Sequence, residues 1–320
     1  MDELECINEY IRPLLSSGFP SEDDDAAYIC AGKNTSPLIA SHDIITEGVH
    51  FFSNTAADII AKKALRVNIS DMASMGALPY AYLLGLSLPK GISNEWWSAF
   101  SSGLREDNER YSIKLVGGDT VHNKSSYITI GITILGIPGA NTLTRSGAKI
   151  GDFLYISGTI GDAALGLLAH NNPTLSGCEY IKSRYNIPEP RVKLGCAIVG
   201  IASSCIDISD GFLQDIGRIC KLSNVGANIH FGDIPLSAEA QHLLSHDLQY
   251  MEYILAGGDD YELAFTIPPD KVQEFKQLIS STETKVTQVG NIVSETGIRL
   301  YDHNNEEMSL PSNMGYVHRF

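Results

Sequence analysis

Residues 55–79 read TAADIIAKKALRVNISDMASMGALP, and the rest of the chain is organised around them. Thr55, followed three residues later by Asp58, reads as a helix start, with the hydroxyl as N-cap and the acid in the first turn. Gly76 and Pro79 read as its stop. Past Lys63 nearly every residue is apolar or small, the exceptions being Arg66, Asn68, Ser70, Asp71 and Ser74. Such a helix is packed on most of its sides. Asn68 and Asp71 stand three apart and share a face one turn long, whereas Arg66 points elsewhere. A carboxylate on a helix wrapped in core costs several kcal/mol unless it is paired or holds a cation. Backbone amides could satisfy one such acid, but the chain repeats the pattern.

The bulk properties narrow the class. The 320 residues are 43% hydrophobic and 19% charged, enough for one large domain or two medium ones. A net charge of −15, from 38 acids against 23 bases, argues against a nucleic-acid surface and suits a protein that collects divalent cations. Cys6, Cys30, Cys178, Cys196, Cys205 and Cys220 are scattered, with no CxxC pair, and read as buried thiols in a reducing compartment. The start MDELECINEY lacks the basic and apolar regions of a signal peptide, and no apolar run is long enough to span a membrane. The expectation is a soluble, cytoplasmic protein with no nucleic-acid or membrane partner.

Taken in order, residues 2–17 predict a short amphipathic helix, and SEDDDAAYI runs three acids, Asp23 to Asp25, straight into an apolar strand. PLIASHDIITEGVHF predicts a buried strand carrying Ser41, His42 and Asp43. After the central helix come the strand AYLLGLSLP, a second amphipathic helix over 93–111, IKLVGGDTVHN with Gly117, Gly118 and Asp119 at a strand end, and the alternating strand YITIGITILGI. Pro138–Lys149, rich in glycine and polar residues, is the boundary candidate, dividing the chain into 1–137 and 138–320. Beyond it, GDFLYISGTIGDAALGLLAH and SCIDISDGFLQDIGRICKLS each predict a strand, a glycine-bearing turn and a helix. YILAGGDDYELAFTIPP gives another glycine–acid turn, and strands near 285–300 and the tail MGYVHRF close the chain. The pattern is α+β.

SHD at 41–43, SD at 70–71, GGD at 117–119, DISDG at 207–211 and GGDD at 257–260 each put an acid where a strand or core helix meets a loop. Aspartate with serine and glycine suits hard cations that take oxygen ligands and phosphate. One such triplet is an ordinary turn; five, with DDD, point to a multi-Mg²⁺ site. Walker A, GxGxxG, GxSxG and HExxH patterns are absent, so phosphate handling falls to metal ions and isolated bases, with Arg145 in LTRSGAK the best placed.

The motifs DDDAAYI, SHDIITEGVHF, VNISDMASMGALP, LVGGDT, LTRSGAKIGD, SGTIGDAALGL, IDISDGF and GGDDYELAFT together resemble the thiamine-monophosphate kinase family, within the aminoimidazole-ribonucleotide-synthetase superfamily. The resemblance runs from about residue 20 to GYVHRF. It implies an α+β, two-domain fold: an N-terminal α/β sheet domain that pairs in a homodimer, and a C-terminal α/β domain completing an active-site groove. It also implies ATP-dependent phosphorylation of thiamine monophosphate to thiamine diphosphate by direct transfer, with several Mg²⁺ ions. Carried over position by position, Asp24, Asp25, Ser41, His42, Asp43, Asp71, Asp119, Asp207 and Asp210 would be metal ligands. Of these Asp43, Asp71, Asp119 and Asp210, with Arg145, would be catalytic. Gly118, Asp119, Arg145 and Ser209 would contact ATP, and His50, Asp259 and Tyr316 the acceptor.

Three positions depart from the family pattern. Asp23 stands where the family has Gly, and Asp259 where it has Glu. His42 stands where it has Thr, which leaves its carbonyl as the better ligand. Asp259 is expected to face the cationic or amino groups of thiamine. A selenophosphate-synthetase-like enzyme is the alternative within the superfamily, but no reactive Cys sits in an early glycine-rich loop. A calcium-buffering protein would show a repeated ligand loop, and none is present.

Overall fold

The structure is a computed structural model that describes residues 3–14, 24–29, 36–172, 175, 178–280 and 282–318. Asp23, Cys30 and the AGKNT turn lie outside the described residues. Helix α1 (Glu3–Cys6) runs on as irregular exposed turns to Leu14, so the regular amphipathic helix expected at 2–17 is not what forms over 3–14.

Strands β1 (Ala27–Ile29), β2 (Leu38–Thr46), β3 (Ala77–Leu88), β4 (Lys114–His122) and β5 (Thr129–Pro138) form one sheet in the order β1-β2-β5-β3-β4. Only β3 and β4 run parallel. Strand alternation gives the sheet two different faces. Ile39, Ile45, Ile130, Ile132 and Ile134 are buried on one, while His42, Ile44 and Leu83 stand exposed on the other. Helix α2 (Ala57–Ser74) lies on the buried face, and α3 (Asn94–Tyr111) packs on α2.

Strand β4 is an edge strand exposed along its whole length. Its GGD sits mid-strand, beside a register shift against β3, and not at the strand end the sequence suggests.

Helix α2 confirms the reading that it is packed nearly all round, with fourteen of its eighteen residues buried. Its start is corrected: Ala56 is the cap residue and no side chain bonds there, so Thr55 does not cap it. Gly76, at φ +65, ends it with the left-handed turn that glycine adopts without strain. Strand β3 begins at the next residue. Pro79 lies inside that strand, at a register shift against β5, where a proline is tolerated.

The second sheet holds β6 (Phe153–Ser157), β7 (Ser204–Asp207), β8 (Gly226–His230), β9 (Leu263–Ile267), β10 (Val286–Val293), β11 (Gly297–Tyr301) and β12 (Glu307–Met308). Their order is β12-β11-β8-β10-β6-β9-β7. Between them run α4 (Asp162–Asn171), α5 (Glu179–Asn186), α6 (Val192–Ala197), α7 (Phe212–Ser223), α8 (Ala238–His246), α9 (Tyr250–Ala256) and α10 (Val272–Ile279). Helix α6 and strand β7 press on α2 from the second half of the chain, and α6 reaches β3 of the first sheet as well. The approach is close: a Cβ on Gly195 would lie 1.9 Å from the Ala73 carbonyl oxygen. Helix α2 is therefore the wall shared by both halves, which is why it is apolar on so many sides. Among the described cysteines, Cys178, Cys205 and Cys220 are buried thiols as expected, whereas Cys196 is only half-buried, and no described helix is long and apolar enough to cross a membrane.

Candidate active site

The shared wall brings acids from both halves to one place. Asp25 precedes β1, Asp71 lies on α2 and Asp207 ends β7, and a carboxylate oxygen from each lies within 4.8 Å of the others. Neighbouring hydroxyls aim them: Ser41 Oγ donates to Asp71 Oδ2, and Ser70 Oγ donates to Asp207 Oδ2 at 2.6 Å. Asn68, one turn before Asp71, accepts the Asp43 backbone N–H at 3.1 Å and so ties β2 to the helix. Arg145 donates Nε to Asp25 Oδ1 at 3.0 Å and reaches the same oxygen through Nη2, while its backbone N–H donates to Asp24 Oδ1 at 2.8 Å.

One guanidinium does not balance this charge. Asp71 keeps part of its surface open, yet enough protein surrounds it that burial holds its carboxyl well above the ordinary range. Asp43, Asp207 and Asp25 push the same way, and the Ser41 hydroxyl opposes them. Asp207 is raised likewise, by burial and then by Asp25. Asp43 is pushed up to about 6 by burial, then by Asp25 and Asp210. Asp25 Oδ2 is buried and accepts no hydrogen bond among the described residues. Closely set carboxylates, an orphaned buried oxygen and serine hydroxyls fit hard divalent cations, which supply the missing positive charge.

Asp210 sits after β7, its carboxylate held by Arg218 and by Gln214 Nε2 at 3.2 Å. Asp215 accepts the backbone N–H groups of Asp210 and Gly211, both at 3.0 Å, and fixes that turn. The Ser209 carbonyl accepts the Asp259 N–H at 2.8 Å, and the Asp210 carbonyl accepts the Tyr316 N–H at 2.8 Å. The loop bearing Ser209 and Asp210, the glycine–acid turn and the tail thus meet.

His50 faces this junction. Thr46 N–H donates to its Nδ1 at 3.1 Å, leaving Nε2 to carry the proton of the neutral ring. Burial lowers its pKa against the opposing pull of Asp259, with Lys63 and His318 adding to the lowering. His318 lies between His50 and Tyr316, tilted to the first and edge-on to the second, with centroids 5.8 and 4.9 Å away. Asp259 does not face the site as a lone acid, because Lys63 Nζ donates to its Oδ2 at 2.9 Å.

Two expected residues do not join the cluster within one chain. His42 alternates with Ser41 and Asp43 onto the opposite face, where its Nδ1 lies 2.8 Å from Thr133 Oγ1. The strand's period of two turns this side chain away from the cluster and leaves the His42 carbonyl, the part of the residue expected to serve. Asp119 pairs with Gly85, which pairs with Gly131, which pairs with Ile44, so it too lies on the exposed face and three strands away. Gly118 precedes it on the edge strand; a Cβ there would lie 2.0 Å from the Leu84 carbonyl oxygen, so no larger residue fits.

Sequence reasoning missed Lys63, Ser70, Asp215, Arg218 and His318. Two of these left a trace without being given a role: Ser70 in the SD pair at 70–71, and Lys63 as a cation entering an apolar run.

Comparison with known proteins matches residues 23–138 to the N-terminal domain and 149–303 to the C-terminal domain of AIR synthase related proteins. Thiamine-monophosphate kinase of Caulobacter vibrioides is 35% identical over 99% of this chain and 90% of its own. The crystal structure of the Stenotrophomonas maltophilia enzyme of that name superposes with TM-score 0.79 at 34% identity, covering 92% of each chain. A structure of AaThiL complexed with AMPPCP and TMP superposes with TM-score 0.84 at 27% identity, covering 99% of this chain and 97% of the other. An α2 wall carrying Asp71, acids from both halves around it and this match over nearly the whole length place the chain in one family: it belongs to the AIR synthase related proteins and, among them, to the thiamine-monophosphate kinases.

Proposed function

We propose that the chain transfers the γ-phosphoryl group of ATP directly to the phosphate of thiamine monophosphate, forming thiamine diphosphate. The observation that carries this reading is the convergence of Asp25, Asp71 and Asp207 beside Arg145, with one buried carboxylate oxygen unmatched among the described residues. Phosphoryl transfer asks a protein for alignment and charge more than for covalent chemistry. Asp24, Asp25, Ser41, Asp43, Asp71, Asp207 and Asp210 would hold divalent cations, Mg²⁺ by their all-oxygen character. Bound there, such ions neutralise phosphate oxygens and hold them in line.

The chain's own residues supply the rest. Arg145, fixed through Asp25, would set a positive charge beside the phosphate oxygens. Ser209 and the glycines beside it let backbone approach the nucleotide. His50, neutral with Nε2–H outward, donates a hydrogen bond toward the acceptor without competing for its charge. Tyr316, half-exposed and set edge-on to His318, offers an aromatic surface for the acceptor's rings. The acceptor phosphate is already ionised near neutral pH, so no general base is assigned.

A second copy completes the site. The outer face of the first sheet exposes Ile44, Leu78, Tyr80, Leu83, Val116 and Val121, more apolar surface than an edge-bearing sheet leaves to water. Pairing two such faces in a homodimer carries Gly118 and Asp119 toward the partner's groove. With residues 1–137 as the pairing domain and 138–320 as the second, each groove is bounded by both. The test is ATP consumption with thiamine monophosphate, with free thiamine and with neither. Thiamine monophosphate alone should support turnover, because free thiamine lacks the phosphate that must be held; turnover with free thiamine would overturn the reading.

A further inference from the structure

Lys63 is on α2, two turns before Asp71, and only 2% of its side chain is exposed. A buried ammonium is costly unless its N–H groups are all used. Here one donates to the His50 carbonyl at 2.8 Å and one to Asp259 Oδ2 at 2.9 Å, and Nζ lies 3.7 Å from the centroid of the Tyr185 ring. Tyr185 Oη also donates to the His50 carbonyl, at 3.1 Å. One cation therefore joins the loop carrying His50, helix α5 and the turn from Gly257 to Tyr261.

That turn is not one its residues adopt unaided. Asp259 at φ 70 and Tyr261 at φ 51 both take the left-handed conformation that side chains disfavour. The main chain is secured by bonds from Asp259 N to the Ser209 carbonyl and from Tyr261 N to the Ile208 carbonyl, both 2.8 Å. Asp260 anchors it further by accepting the N–H groups of Gly161 and Ala163. The Asp259 carboxylate has fewer holds: Lys63, and Tyr261 Oη at 3.3 Å.

We propose that Lys63 is a positioning residue for the acceptor, aiming the Asp259 carboxylate and the His50 loop into one shared pocket from opposite halves of the chain. This rests on the proposed kinase reaction. The Lys63–Asp259 pair is internally neutral, so Asp259 meets the acceptor as an oriented hydrogen-bond acceptor for an amino group and not as a bare negative charge. An aspartate reaches Lys63 directly from this turn, which gives the short side chain its own anchor.

The test is steady-state kinetics of Lys63→Met, Asp259→Asn and the double variant, each with KM measured separately for ATP and for thiamine monophosphate. Lys63→Met should raise the acceptor KM about 10- to 100-fold, the cost of displacing a positioned group by about an ångström, and leave the ATP KM within about 2-fold. The double variant should fall well short of the product of the single losses, because the two residues act as one unit. Multiplicative losses, an unchanged acceptor KM or an equal rise in both KM values would each overturn the proposal. Lys63→Gln, which keeps a donor for the His50 carbonyl, replaces the methionine variant if that one does not fold, with the same expected split. Wild-type enzyme run alongside separates the two readings. If it fails to phosphorylate thiamine monophosphate, the proposed reaction falls; if it succeeds and the split is absent, only the role of Lys63 falls.

Discussion

Replacing Asp71 by Asn should abolish turnover and yet leave the cation-free protein no less stable, an unusual pairing that follows from the geometry. Three carboxylate oxygens lie within 4.8 Å, and at that limit two unit charges repel by ~3.5 kcal/mol with an effective dielectric of about 20. Within the cluster Arg145 pairs with Asp25. The cation-free protein relieves the strain by keeping protons on the acids, as the raised carboxyls of Asp71 and Asp207 indicate. Removing one charge should therefore leave stability unchanged or raise it by about 1–4 kcal/mol.

The pH dependence has a definite sign. These acids hold protons in the folded state to higher pH than in the unfolded chain, so their contribution to stability is fully present below the unfolded pKa and is lost as pH rises through the folded one. For Asp43 the window runs from 3.8 to about 6, and Asp71 and Asp207 extend it upward. Each extra retained proton contributes about 1.4 kcal/mol of decline per pH unit, and Asp71→Asn should flatten the decline by about one proton. Saturating Mg²⁺ should stabilise wild type by about 2.7 kcal/mol at one hundred times Kd, and the variant by much less. Denaturant titrations across pH, with chelator and with Mg²⁺, measure all of this. Wild-type turnover in Asp71→Asn, or a loss of several kcal/mol without metal, would refute the reasoning.

Leu83→Asp, on the exposed face of the first sheet, should convert a dimer to a 34.7 kDa monomer and remove activity, as read by sedimentation. A wild-type monomer at micromolar concentration would remove the two-chain site. Gly118→Ala should cost about 1–3 kcal/mol, because its Cβ would meet the Leu84 carbonyl oxygen and force β4 away from β3; an unchanged denaturation midpoint would count against the edge-strand geometry. Arg145→Lys should lower kcat about 100-fold, since a lysine cannot hold Asp25 through a fork and set its charge beside phosphate as well. Equal kcat in single-turnover assays would move Arg145 out of the reaction.

Much of this molecule is written in local patterns. The apolar run around Asp71 marks a helix packed on both sides whatever its neighbours are, because no one-sided surface helix needs so few polar positions. The order of strands and helices before Pro138 and the glycine stop at Gly76 follow from periodicity and backbone freedom, both properties of a few consecutive residues. The absence of Thr55 from the helix cap shows the limit of such signals, since the cap is set by where packing lets the first turn begin. Which acids meet was beyond local reading. Asp25, Asp71 and Asp207 are separated by scores of residues and converge because both halves press on α2, whereas Asp119, in an equally suggestive triplet, is sent to the other face by pairing register. Lys63 reads as one cation in a helix until the fold brings Asp259, almost two hundred residues away, within 2.9 Å of it. Charge of this kind is assigned by long-range contacts, so only the tertiary structure decides which acid stands alone and which is already paired.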